Sequence, residues 1–446
     1  MKATPQVLKG MRDFLPSRMI LRHHVIDELR RGFERFGFEP LQTPAIEYAE
    51  TLEGKFGEEA DKLIYRFEDR GGRNVGLRYD LTVPLARVVS MYPELVKPFK
   101  RYQIAPVWRA ERPQKGRYRE FYQCDVDIVG STSLLADVEV MTVAYQSLRQ
   151  LGFGHFHILI NDRKLLHGVA AKLGLPDDQA ALVWRAIDKW DKIGPEGVRS
   201  ELREAGFPPD LIDRLYDLFE ARPTNTETLG ALAERLPDEP LAIEGIRELE
   251  QVIEYLGLSE VPPEFYRIDP HLVRGLDYYT GPIFEVVVEQ PRIGSVCGGG
   301  RYDHLVGRLG SVEFPAVGIS LGLDRLIDVI DELGLAPKEV GSTVARVLVT
   351  VFEPSLLGAS LDVAASLRAA GINTEVYLEP GKLAHQLRYA SRKNVPVAII
   401  AGPDEVSRGE VIVRNMVTGR QSQIERGALL SAIQSEVDAA ISPGVS

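Results

Sequence analysis

The stretch Arg101–Gly130, RYQIAPVWRAERPQKGRYREFYQCDVDIVG, decides how the rest of the chain is read. It consists of two alternating runs joined by a charged connection. Successive side chains of a strand point to opposite faces. The second run therefore sets Phe121, Gln123, Asp125 and Asp127 on one side and Tyr122, Cys124, Val126 and Ile128 on the other. In the first run Gln103 and Arg109 share a face, opposite Ile104 and Trp108. Paired as antiparallel neighbours, the runs line one polar surface with Arg109, Gln123 and Asp127, although a solvent-facing sheet surface has the same polarity. The connection from Ala110 to Arg119 carries Glu111, Arg112, Lys115, Arg117 and Arg119. It exceeds the usual ~2–5 residues of a hairpin loop. Long basic loops on a rigid sheet commonly bind something, and forked guanidinium groups suit phosphate; a solvated hairpin tip is the competing account.

Upstream, KGMRDFLP is a Gly/Pro-punctuated lead-in to a helix with Ser17 as candidate N-cap, Ile26, Leu29, Phe33 and Phe36 on one face, and Gly37 as its stop. FEPLQTPAIEYAE reads as extended. NVGLRYDLTVPLARVVS turns from strand into helix, with Thr82 as candidate N-cap and Pro84 in the first turn. Asp80, just before it, suits the helix dipole or a ligand amine, and spacing alone favours the structural role for both residues.

Downstream, a helix marked by Val140, Val143, Ser147 and Leu151 leads into the strand HFHILIND. Residues 163–258 change character: they read as helical, broken at KIGPEG and GFPPD, and suggest an inserted helical subdomain. A strand from Ile283 to Val288, the glycine run of SVCGGGRYDHLVGRLG, and FPAVGISLGLDRLIDVID resume the core pattern. Arg325 falls in the first turn of the helix beginning near Leu323. The macrodipole disfavours a cation there, so a bound anion resolves the conflict better than a weak pair with Asp328. After a linker, strand–helix alternation from about residue 345 predicts a mostly parallel sheet flanked by helices. On its helix after Gly381, Leu383, Leu387 and Ala390 face inward, while His385, Arg388, Tyr389 and Arg392 share the other side. That side fits either single-stranded RNA or solvent.

The 446 residues suffice for two to four domains. A net charge of -11 argues against a general nucleic-acid coat protein, so any polyanion must meet a local basic patch. Two cysteines, Cys124 and Cys297, make neither a disulfide framework nor a Cys-rich zinc site. With no apolar leader and no run approaching a membrane span, a soluble cytoplasmic protein with no metal site is expected.

The stretch from Arg101 resembles motif 2 of class II aminoacyl-tRNA synthetases. FxRxxIAPVWRAERPQxGRYREFYQ is similar to the histidyl-tRNA synthetase family in particular. KGMRDFLP, RYDLT, RGLDYYTG, GGGRYD, the motif 3-like GISLGLDRL and the C-terminal α/β region stand in that family's order, with RGLDYYTG the most diagnostic. The resemblance implies an α+β catalytic domain with the class II antiparallel sheet (residues 1–162 and 259–333). It further implies an inserted helical domain (163–258) and a C-terminal α/β anticodon-binding domain (345–440).

The implied enzyme is a homodimer that joins L-histidine to ATP, accompanied by Mg²⁺, and esterifies the 3′ end of tRNA(His). Its implied catalytic residues are Arg109 and Arg274. Histidine would meet Asp80, Thr82 and Gln123 at its amino group, and Asp127, Tyr278 and Tyr279 at its imidazole, with Arg109 and Arg274 on its carboxylate. ATP would meet Arg109, Glu111, Arg117, Arg119, Phe121 and Arg325; tRNA would meet Gln114, Arg388 and Arg392. Asp80 and Asp127 depart from the glutamate of many bacterial members, and His304 departs from a usual glycine. Rival readings are a non-catalytic regulatory paralogue acting with ATP phosphoribosyltransferase, or a related class II enzyme for proline, threonine or glycine.

Overall fold

The two alternating runs are realised as long strands, residues 99–108 and 120–129. Their antiparallel register sets Arg101 opposite Asp127, Gln103 opposite Asp125 and Ala105 opposite Gln123. The computed structural model describes residues 4–53, 62–113, 116–220, 222–273, 278–291, 293–310, 312–337, 340–379 and 381–441. The chain forms two compact units, one built on Val25–Leu335 with the N-terminal Met1–Arg12, the other on Ala336–Ser446 with Asp13–His24. Arg163–Leu258 stays in the same unit as the long strands.

In chain order the first unit holds β1 (Glu39–Pro40), β2 (Ile46–Tyr48), β3 (Tyr65–Glu68), β4 (Asn74–Leu77), β5 (Phe99–Trp108), β6 (Glu120–Val129), β7 (Phe156–Asp162), β8 (Tyr266–Ile268), β9 (Pro282–Val288), β10 (Ser295–Arg301) and β11 (Ala316–Gly322). Eight of them form one sheet in the order β1-β5-β6-β11-β10-β9-β7-β8, while β2, β4 and β3 make a small separate sheet. The large sheet is antiparallel through its centre and parallel only at its margins, β1 with β5 and β7 with β8. Antiparallel pairing lets one face meet the core while the other stays polar, which is how a polar surface can be built inside the molecule.

The first helix spans Pro16–Arg35, so Ser17 is its second residue and not its cap; the fixed φ of Pro16 suits the opening turn. Leu29 and Phe33 are fully buried, and Phe33 meets the Tyr102 ring of β5 at 5.8 Å. Gly37 ends the element at φ +73°, as its position predicts. Between β7 and β8 run the helices Arg163–Leu173, Asp177–Ile187, Trp190–Glu204, Pro209–Phe219, Asn225–Arg235 and Pro240–Leu258. KIGPEG kinks the third of these at Gly194 (φ 69°) without ending it, whereas GFPPD separates the third from the fourth.

The second unit contains β12 (Val347–Val349), β13 (Thr374–Val376), β14 (Val397–Ile400), β15 (Glu410–Asn415) and β16 (Gln421–Glu425) in the order β13-β12-β14-β15-β16. The expected mostly parallel sheet is instead evenly mixed: β12 pairs parallel with β13 and β14, while β14–β15 and β15–β16 are antiparallel. The missed strand, QSQIE, has a single large apolar residue, too little for an apolar face to be visible in sequence. On the helix Leu383–Arg392 the buried anchors are Ala390 and Gln386, with Leu383 and Leu387 half-buried. Gln386 Oε1 accepts the Val351 N–H (2.9 Å), and its amide donates to the carbonyls of Val351 (2.7 Å) and Gly381 (2.9 Å).

Candidate active site

Most of the polar face of β5 and β6 is buried: Arg101, Gln103, Gln123, Asp125 and Asp127 are buried, and Arg109 and Phe121 half-buried. This face closes a cavity of about 240 Å³ whose lining includes Asp80, Thr82, Arg109, Gln123, Asp125, Asp127, Tyr278 and Tyr279. Every histidine-contact candidate among the described residues is therefore gathered in one place; Arg274 lies outside the described residues, as does Gln114. Gly318 and Ser320 of β11 and Gly298 and Gly299 of β10 complete the sheet wall.

Asp80 enters from the turn between β4 and the helix Thr82–Met91. Thr82 is the first helical residue and makes no cap; Asp80 Oδ1 accepts the Val83 N–H at 3.1 Å instead. That bond satisfies one orphan helix donor and fixes the carboxylate. Its other oxygen, Oδ2, is buried without a hydrogen-bond partner. Burial pushes the Asp80 carboxyl up to about 6, against the Val83 N–H, Arg109 and Arg101.

Asp127 is tied on two sides. Arg101, fully buried, places Nη2 at 2.7 Å from Asp127 Oδ2, and the Tyr302 hydroxyl donates to Oδ1. Arg101 also donates to the Leu81 carbonyl (3.2 Å), which links the sheet to the Asp80 turn. Burial raises the Asp127 pKa, with Arg101 the main opposing influence. Asp125, between Gln123 and Asp127 on the same face, is 2% exposed; burial raises it to about 7, again against Arg101. Three buried carboxylates thus face Arg101 and Arg109, a balance that favours a cationic guest.

Gln123 donates from Nε2 to Ser320 Oγ at 2.8 Å, leaving its buried Oε1 without a partner. Arg109 is held by an Nε bond to the Tyr79 carbonyl (3.0 Å), with its guanidinium carbon 5.1 Å from the Phe121 ring centroid. The Tyr278 and Tyr279 rings are 4.7 Å apart, and burial raises both hydroxyl pKa values.

Of the candidates for ATP among the described residues, Arg109 is the one in the cavity wall. Glu111 pairs with Arg117 at 3.6 Å. Arg119 donates to the carbonyls of Glu111 and Lys9 (both 3.2 Å), and its own N–H bonds the Gly10 carbonyl (2.8 Å), so the lead-in KGMRD braces the hairpin connection. Arg12 extends the brace with an ion pair to Asp324 (2.6 Å), while its guanidinium carbon lies 3.3 Å from the Tyr118 centroid. Arg325 donates to the carbonyls of Gly116 (3.2 Å) and Ser295, at the strand end next to the cavity. Phe121 packs against Leu81, Ala105 and Val107. In the second unit Arg388 and Arg392 are exposed, and Tyr389 hydrogen-bonds Glu375 at 2.5 Å.

Sequence reasoning placed Asp125 on the polar face and Gly318 and Ser320 in the motif 3-like stretch without assigning them a role at the site, and missed Arg101 and Tyr302. Alternation would have flagged Arg101, which shares parity with Gln103 and Arg109. The β11 residues reach the site through sheet order.

The family model described as histidyl-tRNA synthetase matches residues 10–326, and that of an anticodon binding domain matches residues 346–436. The chain is 44% identical over 433 residues to a protein of Aeropyrum pernix named histidine–tRNA ligase, covering 96% of this chain and 98% of that one. Among solved structures it resembles histidyl-tRNA synthetase from Nostoc sp. PCC 7120, with a TM-score of 0.86 and 32% identity over 97% of this chain and all of that one. A Bacillus halodurans protein described as an ATP phosphoribosyltransferase regulatory subunit/histidyl-tRNA synthetase shares the fold, with a TM-score of 0.72 at 21% identity over 87% of this chain and 96% of that one. On the extent of these matches, the chain belongs to the histidyl-tRNA synthetase family.

Proposed function

We infer that the protein is a histidine–tRNA ligase: it activates L-histidine with ATP to histidyl-adenylate and transfers the histidyl group to the 3′ end of tRNA(His). The observation that carries this reading is the carboxylate-rich cavity of about 240 Å³ with Arg109 in its wall. It is smaller than the roughly 300–1,000 Å³ of sites that swallow drug-sized ligands, and so suits one amino acid better than a whole nucleotide. ATP then lies against the adjoining surface near Glu111, Arg117, Phe121 and Arg325, with Mg²⁺ arriving on its phosphates.

In the first step a histidine carboxylate oxygen bonds to the α-phosphorus and diphosphate leaves. Two anions must be brought together and charge builds on phosphoryl oxygens, so fixed cations and positioning supply most of the acceleration. Arg109, clamped by Tyr79 and Phe121, fills that role here, with Arg274 assigned beside it by family resemblance. In the second step the terminal ribose hydroxyl attacks the histidyl carbonyl and AMP leaves. Asp127, held by Arg101 and Tyr302, and the Tyr278–Tyr279 pair give the imidazole polar partners. A site built to hydrogen-bond a side chain rejects analogues lacking it by a large factor.

We further assign residues 163–258 as an inserted domain and 345–440 as the anticodon-binding domain, with Arg388 and Arg392 meeting tRNA. A homodimer is supported by exposed apolar side chains on the small sheet, Ile46, Tyr48 and Phe67. A cytoplasmic setting agrees with Cys124 and Cys297, both buried and outside any disulfide. Among the described residues no helix is long and apolar enough to cross a membrane.

The test is ATP–diphosphate exchange run separately with each amino acid. Exchange with histidine alone is expected; exchange with none would point to the regulatory paralogue, and exchange with proline, threonine or glycine to a different synthetase.

A further inference from the structure

Asp127 Oδ2 apart, which has Arg101 Nη2 at 2.7 Å, three acceptor atoms of cavity-lining residues are buried without a donor: Asp80 Oδ2, Gln123 Oε1 and Asp125 Oδ1. The first two belong to residues already assigned to the amino end of histidine. Nothing assigns the third.

Asp125 sits deep in the sheet at 2% exposure, on β6 opposite Gln103 of β5 and Ser320 of β11. Its hydrogen-bond supply can be traced. Gln123 Nε2 donates to Ser320 Oγ at 2.8 Å, and the Ser320 hydroxyl hydrogen-bonds the Asp125 carboxylate. A hydroxyl has one proton to give, so this chain serves one carboxylate oxygen. The same bond turns the Gln123 amide so that Oε1 is left over. Arg101 meets Asp127, not Asp125, at ion-pair distance. A buried carboxylate oxygen with no donor destabilises a fold unless something binds it.

We propose that Asp125 is a substrate-binding residue, and that its Oδ1 joins Asp80 Oδ2 and Gln123 Oε1 in receiving the three N–H bonds of the substrate's α-ammonium group. An ammonium carries three donors and no acceptor, which matches three orphaned acceptors and no donor among them. Its charge also offsets the excess of carboxylates over Arg101 and Arg109 around the cavity. The proposal rests on the reading of this cavity as the histidine site.

The experiment compares the full-length protein with its Asp125→Asn form by calorimetric titration with L-histidine, L-histidinol and imidazole-4-propionate, together with thermal unfolding of the unliganded proteins. Histidinol keeps the ammonium and lacks the carboxylate; imidazolepropionate keeps the carboxylate and lacks the ammonium. The substitution should weaken histidine and histidinol roughly 10- to 100-fold, the size of a lost hydrogen bond to a charged group. It should leave imidazolepropionate unchanged and the melting temperature equal or higher. Asp125→Ser, which also removes the charge, should follow the same pattern. Equal weakening of all three ligands, undiminished histidine binding, or a variant that no longer folds would each overturn the proposal. Absence of histidine binding to the unsubstituted protein would instead remove the reading of the site on which it stands.

Discussion

Gly318 of β11 stands opposite Asp127 of β6, so close that a Cβ on Gly318 would overlap Asp127 Oδ1. The missing side chain is what gives the carboxylate its place beside Arg101 and Tyr302. Gly318→Ala should push Asp127 off both partners, raise the KM for histidine tenfold or more by order of magnitude, and cost about 1–3 kcal/mol from overpacking. Exchange kinetics and thermal unfolding check this; a variant with an ordinary KM would show that Asp127 has room to spare.

Arg101 is fully buried and holds Asp127 at 2.7 Å. Removing one partner of a buried pair costs roughly 3–5 kcal/mol because the other is left uncompensated. Arg101→Met should therefore destabilise strongly, and adding Asp127→Asn should recover part of the loss. Denaturant titration of the single and double variants measures the coupling, and additive losses would contradict the pair.

Arg109 combines an Nε bond to Tyr79 with a seat over Phe121. Lysine keeps the charge but lacks the planar fork. Arg109→Lys should lower kcat for exchange about 10²–10³-fold, the scale of losing one preorganised donor to a developing anion. Its melting temperature should stay close to that of the parent. Near-normal turnover would remove Arg109 from the catalytic machinery.

Acid should not weaken the unliganded protein at first. Burial holds Asp80 and Asp137 up to about 6 and Asp125 up to about 7. Between the unfolded carboxylate range and these values the folded chain binds more protons than the unfolded one, so stability is lost as pH rises through the window. His167, lowered by burial, opposes this as a single group. Melting should be higher near about pH 6 than near about pH 8, and Asp125→Asn should flatten the difference. A melting temperature that climbs across that range would contradict the buried-carboxylate account.

Arg388 and Arg392 sit exposed on the helix Leu383–Arg392 of the second unit. Changing both to Ala should weaken aminoacylation about tenfold or more while sparing exchange, since phosphate contacts add affinity without touching the adenylation chemistry. Equal loss in both assays would rule out a role confined to tRNA.

Alternation in Arg101–Gly130 sufficed to put Gln123, Asp125 and Asp127 on one face, because side-chain direction in a strand depends only on parity. The helix Pro16–Arg35 and the helical run from Arg163 were legible for a similar reason: their apolar spacing and Gly/Pro breaks are local. Capping was less so. Thr82 had the right chemistry for an N-cap, yet the turn gives the bond to Asp80, since which oxygen reaches the Val83 N–H depends on backbone angles.

What the sequence determined by itself was the long strands and the main helices, the polar face, and the family resemblance carried by RYDLT, RGLDYYTG and GISLGLDRL; short strands such as Tyr65–Glu68 and Gln421–Glu425 were not legible in it. Whether that polar face met water or closed a cavity was decided only by tertiary structure. Sheet order brings β11 beside β6 and β10 beside β11, and so delivers Ser320 to Asp125 and makes room at Gly318 for Asp127. Parity is a property of neighbouring residues, whereas burial and the pairing of Arg101 with Asp127 arise between segments that only folding brings together.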